Sequence, residues 1–299
     1  MERFIDPLAL ARVKDLPLIA KTVADGFLHG LQQSHQRGIG IEFSQYRAYE
    51  PGDPMSRIDW KLFARSDRYF VREADRESEI SIWFVLDASA SMNTTSESRP
   101  GAWSKFEYAR HLLATLSYIG QQQGDHVGML ALSGDQQHLL PPASGERHWH
   151  RMLKQLTAIR SGSCFPDPVQ IKSAIQRVQK MGLVFIISDF YQVSNELNEF
   201  IRQISAGHTE VVAMQLQSSD ELTFPYKGAV RFEDLETGEQ VLVSASSARD
   251  TWLEALAAHQ RKLERFLQRQ RVSLNQINID EPMDQALYDF LINRQAIRH

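Results

Sequence analysis

Residues Ile80 to Leu86 read ISIWFVL, a β-prone run with almost no polar interruption. Such a run has no solvent face, so it predicts a central strand covered by other elements on both sides. The run LVFIIS at 183–188 has the same character, and further strands are predicted around Val127–Leu132, Glu210–Leu216 and Ser273–Ile279. A short strand around His138–Leu140 is expected to stop at Pro141-Pro142.

Helical periodicity fills the gaps between these strands. Tyr108, Leu112, Leu116 and Ile119 keep helical spacing, and helices are predicted near Trp149–Ile159, Val169–Gln179 and, capped by Ser194, through Ile204. Ser247-x-x-Asp250 has the form of a capping box opening a helix with Trp252, Leu256, Leu263 and Leu267 on one face, and a last helix begins near Pro282. Strands alternating with helices predict an α/β fold: a doubly wound, mostly parallel sheet, because parallel neighbours need crossover connections. Between about 222 and 245, two β-prone stretches around ETGE (Glu236–Glu239) predict a hairpin inserted at the sheet edge. Residues 1–75, with a dense mixed-charge stretch from Glu42 to Arg76 and a turn at EPGDP, are expected to form an N-terminal module ahead of a main domain at 76–299. Trp60 is the expected apolar anchor of that module.

The strand at 80–86 runs into Asp87-x-Ser89-x-Ser91, and the strand at 183–188 ends at Asp189. In a doubly wound sheet, ligands bind at the carboxyl ends of strands near the switch point, so neighbouring strands here would bring two carboxylates and two hydroxyls together. Hard oxygen donors of this kind suit Mg2+, with Mn2+ as an alternative. A cation held by few protein charges stays electrophilic and can accept a carboxylate from a protein partner. Asp and Ser also make ordinary turns and caps, so turn chemistry alone is the competing reading.

Several function classes recede on sequence alone. A net charge of -4 gives no cationic field for nucleic acid. No apolar run has the length of a membrane span, so no membrane insertion is expected. The single cysteine, Cys164, forms no internal disulfide, and the charged N-terminus lacks the core of a signal peptide, which together suggest the cytoplasm. His148 and His150 are two apart on a predicted helix and are expected at the surface. Neither GxxxxGK[ST] nor HExxH occurs, so ATP hydrolysis is assigned to a partner.

Asp87, Ser89, Ser91 and Asp189 resemble the metal-ion-dependent adhesion site of von Willebrand factor A domains. The preceding YRAYEPGDPMSRIDWKLFARSDRYFVREADRE is similar to the signature of the bacterial family called domain of unknown function 58, through Tyr49, Gly52, Asp53, Arg57, Ile58, Asp59, Trp60, Ala64 and Arg65. The Gly228–Glu239 hairpin and the terminal FLINR are similar to that family too. The resemblance implies a von Willebrand factor A-type fold and association with a MoxR-type AAA+ ATPase in protein maturation or complex assembly. It also implies a further hydroxyl ligand, usually threonine. The corresponding segment here is RSGSCFPDP, where Ser163 is the candidate and Asp167 the alternative. The expected function is therefore a metal-dependent protein-interaction or adaptor module without catalysis. Two alternatives stand beside it, a metal-assisted hydrolase and a scaffold whose site has lost its metal.

Overall fold

The computed structural model describes residues 6–13, 15–36, 46–48, 70–72, 81–134, 136–162, 164–178, 182–192, 195–207 and 209–298. The chain divides into two compact units, one of Met1–Leu28 with Ile80–His299 and one of His29–Glu79. The first 28 residues thus group with the sheet-bearing unit and not with 29–79. In the smaller unit, β1 (Tyr46–Ala48) pairs antiparallel with β2 (Phe70–Arg72). The family-like residues from Tyr49 to Arg65, Trp60 included, lie outside the described residues.

The larger unit is built on a six-stranded sheet. Its strands are β3 (Ser81–Asp87), β4 (His126–Ser133), β5 (Gln136–Ala143), β6 (Gly182–Ser188), β7 (Glu210–Gln217) and β10 (Ser273–Asn278), in the order β10-β7-β6-β3-β4-β5. Every pairing is parallel except β4 with β5. From β3 the chain moves to β4 on one side, and later from β6 to β7 on the other. The crevice between β3 and β6 is therefore the switch point, with Asp87 and Asp189 at its rim.

Burial follows from the alternation of side chains along each strand. Trp83, Val85, Val184, Ile186 and Ala213 enter one apolar cluster with Ile175, Val178, Phe200, Ile201, Leu263 and Leu267. Those partners come from the helices Lys172–Val178, Glu196–Ser205 and Ala245–Arg269. On the opposite face Phe84 stacks on Phe185 at 5.2 Å, and Phe185 meets Phe290 of the last helix, Met283–Arg298, edge-on at 5.9 Å. The helix Lys105–Gln122 covers that face so closely that a Cβ on its Gly120 would sit 3.1 Å from Val127 and 3.7 Å from Ile82.

Several local expectations are corrected. β5 continues through Pro141-Pro142 to Ala143, because an edge strand tolerates residues that donate no hydrogen bond. The hairpin, β8 (Ala229–Glu233) with β9 (Gln240–Ser244), forms a separate two-stranded sheet and does not extend the edge of the large one. The helix after it begins at Ala245 with Ser244 as N-cap, and Ser247 donates to the Ser244 carbonyl, so no box forms at Ser247 and Asp250. Trp252 is 37% exposed on that helix and stacks on Phe232 of the hairpin at 6.0 Å, apart from the buried Leu263 and Leu267. His148 is buried, its Nε2 2.7 Å from the Val127 carbonyl, while His150 is exposed. Ser194 lies outside the described residues, and the helix it was expected to cap has Asn195 at its N-cap with no side-chain bond.

At the β4–β5 edge the register shifts between Val127 and Met129, and Gly128 lies within the shift. A Cβ there would meet the Pro142 backbone nitrogen at 2.9 Å, a contact that no side-chain rotation relieves. Gly128→Ala is expected to destabilise the protein by about 1–3 kcal/mol through this overpacking, read as a lower urea midpoint at unchanged slope.

Candidate metal centre

Asp87 and Asp189 are both fully buried at the ends of the adjacent parallel strands β3 and β6. Each carboxylate first organises its own loop. Asp87 Oδ1 accepts from the Ser89 backbone N–H at 2.9 Å, and Asp189 Oδ1 accepts from that of Tyr191 at 3.1 Å. These are the turns that the bland reading of the motif requires. The chain reverses sharply after Asp189, where Phe190 is held at a φ of 62°, a conformation that costs a bulky residue about 1–2 kcal/mol.

The remaining lone pairs show what the turns leave over. Asp87 Oδ2 accepts from Ser188 Oγ at 2.6 Å and Gln192 Nε2 at 2.5 Å, and the Ser89 side chain also bonds to this carboxylate. Asp189 Oδ2 faces Lys105 Nζ at 3.3 Å. The Ser89 and Ser91 hydroxyls lie 3.1 Å apart, and Ser89, although it is the N-cap of the short 3-10 turn Ala90–Asn93, makes no side-chain cap bond. Two hydroxyls beside a buried carboxylate are thus spent on neither turn nor cap.

Lys105 opens the helix Lys105–Gln122 and is fully buried. Its Nζ also lies 2.5 Å from Glu221 Oε1 and 4.7 Å from the centre of the Tyr191 ring. Glu221 is fixed by a capping box with Ser218, accepting from the Ser218 N–H at 2.8 Å while its own N–H donates to Ser218 Oγ at 3.3 Å. Asp189 and Glu221 therefore share a single ammonium, and no cationic side chain pairs with Asp87 among the described residues. The shortfall of positive charge is felt at Asp87, whose carboxyl is raised to about 6 by burial first and the Asp189 charge second, against the lowering effect of bonds from Ser188 and Ser89.

Hydroxyl and carboxylate oxygens gathered in a buried setting short of positive charge fit a small divalent cation. Ser89, Ser91, Asp87 Oδ1 and Asp189 are the groups that would hold it. Among the described residues no group of three or more His, Cys, Asp or Glu is arranged as a metal cage, so an ion here would rely on hydroxyls and retained water, as Mg2+ does. Ser163 lies outside the described residues; its neighbours do not, and Gly162 donates to the Ala88 carbonyl at 3.0 Å while the Cys164 carbonyl accepts from Gly134 at 2.7 Å. Asp167 is exposed and accepts from the Val169 N–H at 2.8 Å, closing a turn of its own. Cys164 is exposed.

The sequence reading missed Lys105, Ser188, Gln192 and Glu221. Ser188 and Gln192 flank Asp189 in the chain, and the Ser218-x-x-Glu221 box carried a readable helix-start signal. Nothing in the sequence marked Lys105 as buried.

Residues 45–262 match the family described as "Protein of unknown function DUF58". The chain is 29% identical over 266 residues to the uncharacterized protein Rv1480 of Mycobacterium tuberculosis, covering 88% of this chain and 82% of that protein. It is 22% identical over 137 residues to the uncharacterized protein YeaD of Bacillus subtilis, covering 46% of this chain and 31% of that one. Among solved structures it is similar to the hypothetical protein BatB of Bacteroides thetaiotaomicron, with 14% identity, a TM-score of 0.41, and coverage of 71% of this chain and 99% of that one. It is also similar to the SpRpn10 VWA domain, with 8% identity, a TM-score of 0.38, and coverage of 70% and 93%. With the family matched over most of its length, the chain belongs to the DUF58 family.

Proposed function

We propose that this protein is a metal-dependent protein-interaction or adaptor module that presents Mg2+, or Mn2+, to a carboxylate on a partner. The observation that carries this reading is the pair of hydroxyls, Ser89 and Ser91, 3.1 Å apart at the buried Asp87 and not used to cap the 3-10 turn that follows. Bound there, the cation supplies Lewis acidity toward a partner oxygen. The chain's own residues do the rest: Ser188 and Gln192 orient Asp87, the Tyr191 N–H orients Asp189, and Lys105 forms an ion pair with Asp189. The role is binding and not turnover, since Asp87 Oδ2 already accepts from two donors and is a poor nucleophile in that state.

The partner proposed from the resemblance is a MoxR-type AAA+ ATPase, which would do the nucleotide-driven work of protein maturation or complex assembly. Cytoplasmic residence belongs to the same proposal. It is supported only in that no helix among the described residues is long and apolar enough to cross a membrane. One observation favours a second reading, a scaffold without metal: the Lys105 ammonium already gives Asp189 a buried countercharge.

Capture of a purified MoxR-type AAA+ ATPase separates the two. Capture that needs Mg2+, is abolished by chelator and is lost in Asp87→Ala supports the adaptor. Equal capture with chelator and in the variant supports the scaffold.

Acid should act through Asp87. A carboxyl raised to about 6 contributes stability that is fully present below its unfolded value and lost as pH rises through about 6, so the metal-free protein carries the cost of the ionised group at neutral pH. A cation offsets that cost, and protons compete with it. Mg2+ is expected to raise the melting temperature more at about pH 7.5 than at about pH 5, and Asp87→Asn to remove the difference.

A further inference from the structure

A cleft of about 180 Å3 opens beside the candidate metal centre, between the helices Glu196–Ser205 and Ala245–Arg269 and the loop that follows β6. Its floor is apolar: Phe190, Leu197 and Leu263 are buried, and Phe266 packs partly buried against the same cluster. The cations Arg202 and Lys262 and the amides of Gln192 and Asn195 stand around that floor, and no carboxylate lines the cleft among the described residues. Gln192 belongs to both places, since its Nε2 donates to Asp87 Oδ2 at 2.5 Å. His259 forms a second link. Its ring lies 5.3 Å from that of Tyr191, whose backbone N–H holds Asp189, and its Nε2 is buried without a hydrogen-bond partner.

The fold does not consume these cations. Lys262 is exposed and forms no ion pair among the described residues. Arg202 gives Nη1 to the exposed Glu199 Oε2 at 3.1 Å and lies 5.6 Å from the centre of the Phe266 ring, which holds the guanidinium at the cleft with further donors in the same plane. Cations and amide donors around an apolar floor, in a space this small, match a carboxylate on a short aliphatic stem. The methylenes of such a group lie on the floor, and its oxygens take charge-assisted bonds from Lys262 and Arg202. A glutamate side chain has that form.

We propose that this cleft is a second acid-binding subsite, taking a glutamate side chain of the same protein partner that gives its carboxylate to the metal ion. The partner then carries paired acidic residues, one for the ion and one for Arg202 and Lys262, and the cleft selects among acidic partners that the ion alone would accept equally. This inference rests on the metal-binding reading above and names the chemistry of its partner. The cleft needs no ion of its own, so each can be tested without the other.

The probes are acetyl-glutamate amide, whose only carboxylate is its side chain, and the uncharged acetyl-glutamine amide. Each is titrated without Mg2+ into isotopically labelled protein, and the side-chain amide resonances of Gln192 and Asn195 are followed by NMR. The glutamate probe is expected to shift both saturably, with a dissociation constant on the order of 1 mM for a ligand this small, and the glutamine probe to bind at least about tenfold more weakly. The double variant Arg202→Gln, Lys262→Gln changes two exposed positions and should lose that preference while still binding Mg2+ in calorimetry. Equal binding of the two probes, no saturable shift in the parent, or a variant that keeps the parent's preference overturns the subsite and leaves the metal centre standing. A parent that binds the glutamate probe but neither Mg2+ nor Mn2+ overturns the paired-acid recognition together with the metal centre.

Discussion

Two ionisable carboxylates buried at the ends of neighbouring parallel strands repel each other, and the surrounding loops are organised to contain that repulsion. Asp87 and Asp189 sit where β3 and β6 diverge, the point at which a doubly wound sheet opens a crevice. Ser188, Gln192, two backbone N–H groups and the buried Lys105 are all turned toward them. A buried charge left without partners would cost several kcal/mol, so the loops after both strands, the start of the helix at Lys105 and the capping box at Ser218 have few alternative arrangements.

The same containment leaves the site incomplete as pure structure. Lys105 serves Asp189 and Glu221 together, and no cationic side chain pairs with Asp87 among the described residues. The Ser89 and Ser91 hydroxyls lie beside that carboxylate without capping a helix. Turn chemistry explains one oxygen of each aspartate and stops there. A small hard cation at this place is the proposed use of the rest.

Much of this was legible in the sequence because burial on both faces writes itself as uninterrupted apolar runs. ISIWFVL and LVFIIS located β3 and β6, and the aspartates that follow them lie at neighbouring strand ends as the sequence suggested. Partners brought together across the fold were not legible: Lys105 is 84 residues from Asp189 and 116 from Glu221, and only the path of the helix over the sheet joins them. His148 was misplaced for the same reason, since its burial depends on a carbonyl of β4 and not on its own helix. The hairpin around ETGE was recognised from its turn, but period and propensity carry no information about what a turn faces. Capping signals were read at Ser247, where the helix had already begun, and overlooked at Ser218, where the box is complete.

The central claim is that Ser89 and Ser91 are kept for a metal ion. Because neither hydroxyl caps a helix, replacing both with alanine should leave the fold intact, which circular dichroism can verify. Calorimetric titration of Mg2+ into the parent and into the Ser89→Ala, Ser91→Ala double variant is the most direct test. Saturable binding to the parent, weakened at least about tenfold in the variant, is the predicted result. Identical titrations of the two proteins would contradict it.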